Sequence, residues 1–225
     1  MEKVVPQCQG TGMKVLLSSF YLAPVEYYAA LFHAENVIIE IQDNYRKQSY
    51  RNRCIIGGAN GPLSLSIPVE KLEKGKNRMK DIRIAEHGQW RHLHWNAIVS
   101  AYNSTPFFQY FEEDFRPFYE NKFRFLHDFN EELRRLIGGF IGIETPYSYT
   151  LEYVKEPPPD MLDLRETIDP KKGSSSERPQ YHQVFAQRQG FTPNLSIIDL
   201  LFNLGNEARL YLIKYPHPKV REHNI

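Results

Sequence analysis

The residues best suited to chemistry crowd into one stretch, Gln42 to Arg53. It reads QDNYRKQSYRNR and sets Arg46, Lys47, Arg51 and Arg53 against one acid, Asp43, with Tyr45 and Tyr50 interleaved. Guanidinium forks match the geometry of carboxylates and phosphates, so Arg51 and Arg53 are candidates to hold an anion. Alternation in an extended segment would set these two side chains on one face, about 7 Å apart. Asp43 could act as a base or orient a hydroxyl, while Lys47 or Tyr45 could stabilise developing charge. The chain carries 28 Lys and Arg against 27 Asp and Glu, a net charge of +1. The local excess of cations is therefore no by-product of a basic protein. The competing reading is a solvated hairpin with charged tips, because charge runs commonly face water.

A second candidate is the turn Phe20-Tyr21-Leu22-Ala23-Pro24, which leads into a helix N-terminus. Free N–H groups there suit anions, and Tyr21 joins the ligand-side candidates on that ground. A tight turn packed by Tyr21 is the alternative. No G-x-G-x-x-G or Walker pattern occurs, which argues against a dinucleotide or P-loop site. His92 and His94 are two apart on a helix and face away from each other, and no H-E-x-x-H or Cys/His cluster occurs. No metal is expected, and His94 reads as a hydrogen-bonded core residue. No G-x-S-x-G elbow is present. The block Tyr181 to Ser196 either closes over the first site or anchors the last helix. No cofactor can be assigned.

The elements that must position these residues follow from periodicity. Residues 14–20 and 36–42 are apolar runs that read as strands, and Val25, Tyr28, Ala29 and Phe32 mark one face of a helix over 24–34. This is a strand, helix, strand opening. The Asp43 block then follows the second strand, and α/β proteins bind ligands at the carboxyl ends of strands. Further strands are expected at 54–56, 63–69, 82–85 and 208–213. Further helices are expected at 90–102, 128–140 and 197–204, the last with Ser196 and Asp199 as a capping box. Phe107 to Phe125 is an aromatic-rich stretch. The fold class expected is α/β or α+β, with helices packed on a mixed sheet.

At 225 residues the chain suits one domain. Residues 1–12 read as a disordered extension, 13–225 as a single domain, and 171–178 as a flexible loop. Two cysteines, Cys8 and Cys54, make no disulfide framework, so they are expected to be unbonded in a reducing compartment. No secretory signal or membrane-length apolar run is present. Balanced charge argues against nucleic acid and membrane surfaces as partners.

Several segments taken in order resemble one family. VLLSSFYLAPVEYYAAL at 15–31, DNYRKQSYRNRCI at 43–55, LSIPV at 65–69, HWNAIVSAYNSTPFF at 94–108, LHDFNEELRRLI at 126–137 and NLSIIDLLFNLG at 194–205 look like the WbqC-like proteins of bacteria. The likeness runs from about Met13 to about Leu212. It departs at Ser19-Phe20, where the family has Gln-Pro, and at Ala23, which intervenes before Pro24. The family's recurrent polar positions fall on Asp43, Tyr45, Lys47, Ser49, Arg51, Asn52 and Arg53, which adds Ser49 and Asn52 to the ligand-side candidates. Members occur in O-antigen and other surface-polysaccharide gene clusters. The resemblance thus implies a cytoplasmic protein that makes or modifies an activated sugar, such as a group transferase on a phosphorylated or nucleotide-linked sugar with a small anionic ligand. Non-catalytic partnership in the same pathway is a second reading. A nucleotidyltransferase-like Rossmann domain is a third, although the His-x-Gly-His of such enzymes is absent after Tyr21.

Overall fold

A computed structural model describes residues 12–71, 77–172 and 178–216. Strand β1 (Lys14–Ser18) buries Val15, Leu16 and Leu17 completely. A continuous apolar run of this kind suits a parallel strand covered on both faces. Helix α1 (Val25–His33) follows and is apolar nearly all round, with seven of its nine residues buried, as a helix enclosed by the core must be. Strand β2 (Asn36–Glu40) then pairs parallel to β1, Val15 opposite Val37 and Leu17 opposite Ile39. The expected strand, helix, strand opening is present.

The chain then leaves the sheet. Strands β3 (Arg53–Ile56) and β4 (Leu63–Ser66) form a separate antiparallel hairpin. Helices α2 (Trp90–Tyr102), α3 (Phe108–Glu120) and α4 (Leu126–Ile141) follow. Two three-residue strands return to the sheet: β5 (Tyr147–Tyr149) pairs parallel to β2 and β6 (Met161–Asp163) parallel to β1. A short helix α5 (Ala186–Gln189) precedes α6 (Ile197–Leu204) and α7 (Ala208–Lys214). The fold is α/β: a parallel sheet ordered β5-β2-β1-β6, a small antiparallel sheet and packed helices.

Aromatic rings hold the helices together. Phe202 of α6 is fully buried, with ring centroids 5.2 Å from Phe108, 5.3 Å from Tyr102 and 5.3 Å from Phe115. α2, α3 and α6 therefore share one aromatic core.

Several expectations need correction. Residues 208–213 are helical, not a strand: Ala208, Tyr211, Leu212 and Tyr215 are buried while Leu210 and Ile213 are exposed, a period of 3.6 rather than 2. Residues 82–85 form no strand; Ile84 and Arg83 make only single bridges, to Val69 and Phe125. The aromatic-rich stretch contains α3, which runs through Pro117. Ser196 does occupy the N-cap of α6 but makes no side-chain cap; its hydroxyl donates to the Leu22 carbonyl at 2.7 Å, and Asp199 turns to Tyr181 and Gln183. Residues 1–11, including Cys8, and 173–177 of the expected loop lie outside the described residues. Cys54 is a buried free thiol.

Candidate functional site

The strand order changes direction beside β1. β2 leaves β1 on one side, and β6 arrives on the other only after the rest of the sheet is complete. Ligands of open α/β sheets bind outside the carboxyl ends of strands at such a point. Here those ends are Ser18 and Ser19 after β1, Gln42 and Asp43 after β2, and Arg165 and Glu166 after β6.

Asp43 and Arg51 meet at this edge. Arg51 is 2% exposed and Asp43 7%. The Arg51 guanidinium donates to Asp43 Oδ2, and also to Ser18 Oγ at 3.0 Å. Glu166 lies 3.7 Å from the same guanidinium and contacts Arg46, which also reaches Asp169 at 3.4 Å. The result is a chain of alternating charge, Asp43, Arg51, Glu166, Arg46, Asp169, drawn from the loop after β2 and the segment after β6. Asp43 and Arg51 are buried, Glu166 and Arg46 are about half exposed, and Asp169 is nearly buried again. Two inner atoms, Asp43 Oδ1 and Arg51 Nε, are buried without a protein hydrogen-bond partner. Burial pushes the Asp43 carboxyl above its ordinary range, and the Arg51 charge only partly opposes this.

Local structure explains how Arg51 is held. Ser49 Oγ donates to the Arg46 carbonyl at 2.7 Å and accepts from the Arg51 backbone at 3.4 Å, a hydroxyl-stabilised turn. Asn130 of α4 donates to the Arg51 carbonyl at 2.8 Å. Arg51 thus sits in a turn before β3, and the alternation that would pair it with Arg53 does not apply. Arg53 opens β3 instead and bonds Ser66 Oγ across the hairpin at 3.0 Å. Asn52 also serves the hairpin, its amide donating to the Ile67 carbonyl at 2.8 Å. Lys47 is exposed and has no ion pair or side-chain hydrogen bond to the described residues. Tyr45 is buried beside the edge; desolvation raises its hydroxyl pKa to about 12, against the pull of Arg51 and Arg53.

Tyr21 turns inward. Its hydroxyl lies 3.0 Å from His94 Nδ1 and 2.9 Å from Tyr119 Oη. His94 is the hydrogen-bonded core histidine expected from its place on α2. Desolvation lowers its pKa from 6.5 to about 4, so the unfolded chain takes up a proton near pH 6 that the folded chain refuses. Stability should fall as pH drops from about 6.5 towards 4, by on the order of 3 kcal/mol from this group. Urea unfolding at several pH values, wild type against His94→Gln, isolates that slope; equal slopes would refute it.

The N-terminus of α1 is already occupied. The Val25 N–H donates to the Leu195 carbonyl at 3.0 Å, and the Glu26 N–H to Asn194 Oδ1 at 3.0 Å. The block Tyr181 to Ser196 anchors α6: Gln183 exchanges two hydrogen bonds with Thr192, and both Gln183 and Tyr181 donate to Asp199.

Sequence reasoning passed over Ser18, Ser19, His127, Glu166 and Asp169. A polar Ser-Ser pair ending an apolar strand was the available signal for the first two. Ser19 meets His127 Nδ1 at 3.3 Å. Glu40 and Arg165 were also passed over. Glu40 is fully buried and accepts from Thr150, Val154, Gln42 and Arg165, so it braces the edge. Among the described residues no cluster of three or more His, Cys, Asp or Glu side chains could hold a metal ion. Among them, too, no helix is long and apolar enough to cross a membrane.

Fold and site define a parallel-sheet α/β protein with a buried carboxylate–guanidinium pair at its carboxyl edge. The chain belongs to the WbqC-like protein family, whose model matches residues 19–169 and 165–211. It is 26% identical, over 229 aligned positions, to "Uncharacterized protein Rv1507c" of Mycobacterium tuberculosis (strain ATCC 25618 / H37Rv), spanning 88% of this chain and 96% of that protein. No solved structure matches significantly.

Proposed function

We propose that the protein is a cytoplasmic enzyme of bacterial surface-polysaccharide assembly that transfers a group to or from a phosphorylated or nucleotide-linked sugar at the carboxyl edge of its sheet. The supporting observation is the buried Asp43–Arg51 pair, with one acceptor and one donor of the pair left unpartnered. A sugar hydroxyl can donate to a carboxylate and accept from a guanidinium at once, so the pair suits a hydroxyl better than a bare anion. Asp43 orients or deprotonates that hydroxyl, and its raised pKa makes it a stronger base than an exposed carboxylate. Lys47, exposed on the same loop and without an acidic partner among the described residues, receives the phosphate. Tyr45 stabilises developing charge beside Arg51. The gene neighbourhoods of WbqC-like proteins favour a sugar substrate.

Thermal shift against nucleotide sugars, sugar 1-phosphates, free nucleotides and acyl-CoA tests this reading. A ligand at a hundredfold excess over its dissociation constant stabilises by about 2.7 kcal/mol. The sugar-bearing ligands should shift the melting temperature. Asp43→Asn should weaken their binding about ten- to a hundredfold, the loss of one charge-assisted hydrogen bond. A panel without any shift, or full binding by Asp43→Asn, would overturn the proposal.

A further inference from the structure

A cavity of about 340 Å³ opens between α2 and α3, within the range of small-molecule sites. The chain has two tryptophans, Trp90 and Trp95, and both line this cavity with Tyr119, Arg91 and Arg116. None of these residues belongs to the sheet edge described above.

We propose that this cavity is a second binding site, for a neutral saccharide. Three features select that ligand class. First, the cations are already matched. Arg91 forks onto Glu86, with one bond of 2.8 Å, and Arg116 pairs with Glu112. Neutralised guanidiniums attract a free anion weakly, yet their remaining N–H groups still donate to hydroxyls. Second, the lining joins aromatic surface to polar groups. Trp95 is half-buried, and Arg116 stacks 5.7 Å from its ring centroid. A pyranose has the same duality, with apolar C–H faces and a polar rim. Third, donors behind the lining lack acceptors: Trp90 Nε1 and Arg91 Nε are buried with no hydrogen-bond partner in the protein. A small side-chain shift on binding brings them within reach of hydroxyl oxygens, which accept without bringing a charge.

Part of the wall is held in place before any ligand arrives. Tyr119 Oη is bonded to Tyr21 Oη at 2.9 Å, and His92 to Asn96 at 2.9 Å. Groups already held lower the ordering cost of binding.

Because both tryptophans line the cavity, intrinsic fluorescence reports on it directly. Maltose, cellobiose and lactose are titrated, with inorganic phosphate and UDP as charged comparators, and calorimetry runs in parallel. At least one disaccharide should give a saturable change, and the comparators none. Arg116→Met, a surface variant whose fold is checked by circular dichroism, should weaken that binding about tenfold or more. Three results would overturn the proposal: no saturable response to any disaccharide, a preference for phosphate or UDP, or unchanged binding by Arg116→Met. None of them bears on the sheet edge, which is read separately through Asp43→Asn.

Discussion

Arg51→Ala should lower the free energy of unfolding by about 3–5 kcal/mol. The side chain is almost wholly buried and its guanidinium holds Asp43, itself 7% exposed. Removing the cation leaves a carboxylate in a dry site, without its main donor and with only Ser18 near, at 3.5 Å. The lost attraction and the stranded charge act in the same direction. Arg53→Ala is the contrast, since its guanidinium bonds an exposed Ser66; it should stay within about 0.5 kcal/mol of wild type. Urea unfolding of both variants decides the matter. Equal midpoints would contradict a buried, mutually dependent pair. A double variant, Arg51→Met with Asp43→Leu, should recover part of the loss, because apolar replacements leave no unpaired charge.

Phe202→Ala should cost a similar amount, about 3–5 kcal/mol. Its ring sits where α2, α3 and α6 meet, and truncation opens a cavity bordered by Tyr102, Phe108 and Phe115. Those rings are also packed by other neighbours, so the space cannot collapse cheaply. For a chain of this size the melting temperature should drop by roughly 10 °C. Calorimetry against Tyr110→Ala, a side chain 75% exposed on α3, supplies the control. A loss no larger than that of Tyr110→Ala would contradict the shared aromatic core.

The opening of the sheet was legible because its cues are local. Val15 to Leu17 and Val37 to Ile39 are apolar runs, and α1 carries its own period. β5 and β6 were not legible. Their three residues, YSY and MLD, hold no alternation of their own and are strands only because β2 and β1 lie beside them. α3 was obscured by Pro117 and by its many charges, although Phe108, Phe111, Phe115 and Tyr119 fall on one buried stripe. The final helix was misread because ARLYLI alternates superficially, while its buried positions follow the helical period.

The candidate site divides in the same way. Asp43 and Arg51 lie eight residues apart and could be chosen from one string. Glu166 and Asp169 come to Arg46 from more than a hundred residues away, through a strand that the sequence does not announce. Charge counting could not show that the arginines of the loop already have acidic partners. Nor could it show that Asn52 and Arg53 serve the β3–β4 hairpin.

The junction between the starts of α1 and α6 bears on how the chain folds as it is made. Ser196 and Asn194 hold Leu22 and Glu26 across separations of 174 and 168 residues. β6, which completes the flank of β1, pairs Lys14 with Met161. At a synthesis rate of about 5–20 residues per second, roughly 9–35 s separate the appearance of Leu22 from that of Ser196. β1 keeps an open edge until Met161–Asp163 appear, and the first N–H groups of α1 wait longer still, for their acceptors at Asn194 and Leu195. Non-local closure of this kind slows folding and leaves a strand edge able to pair with other chains. The nascent N-terminal half is therefore expected to need chaperones until residues 161–196 have been made.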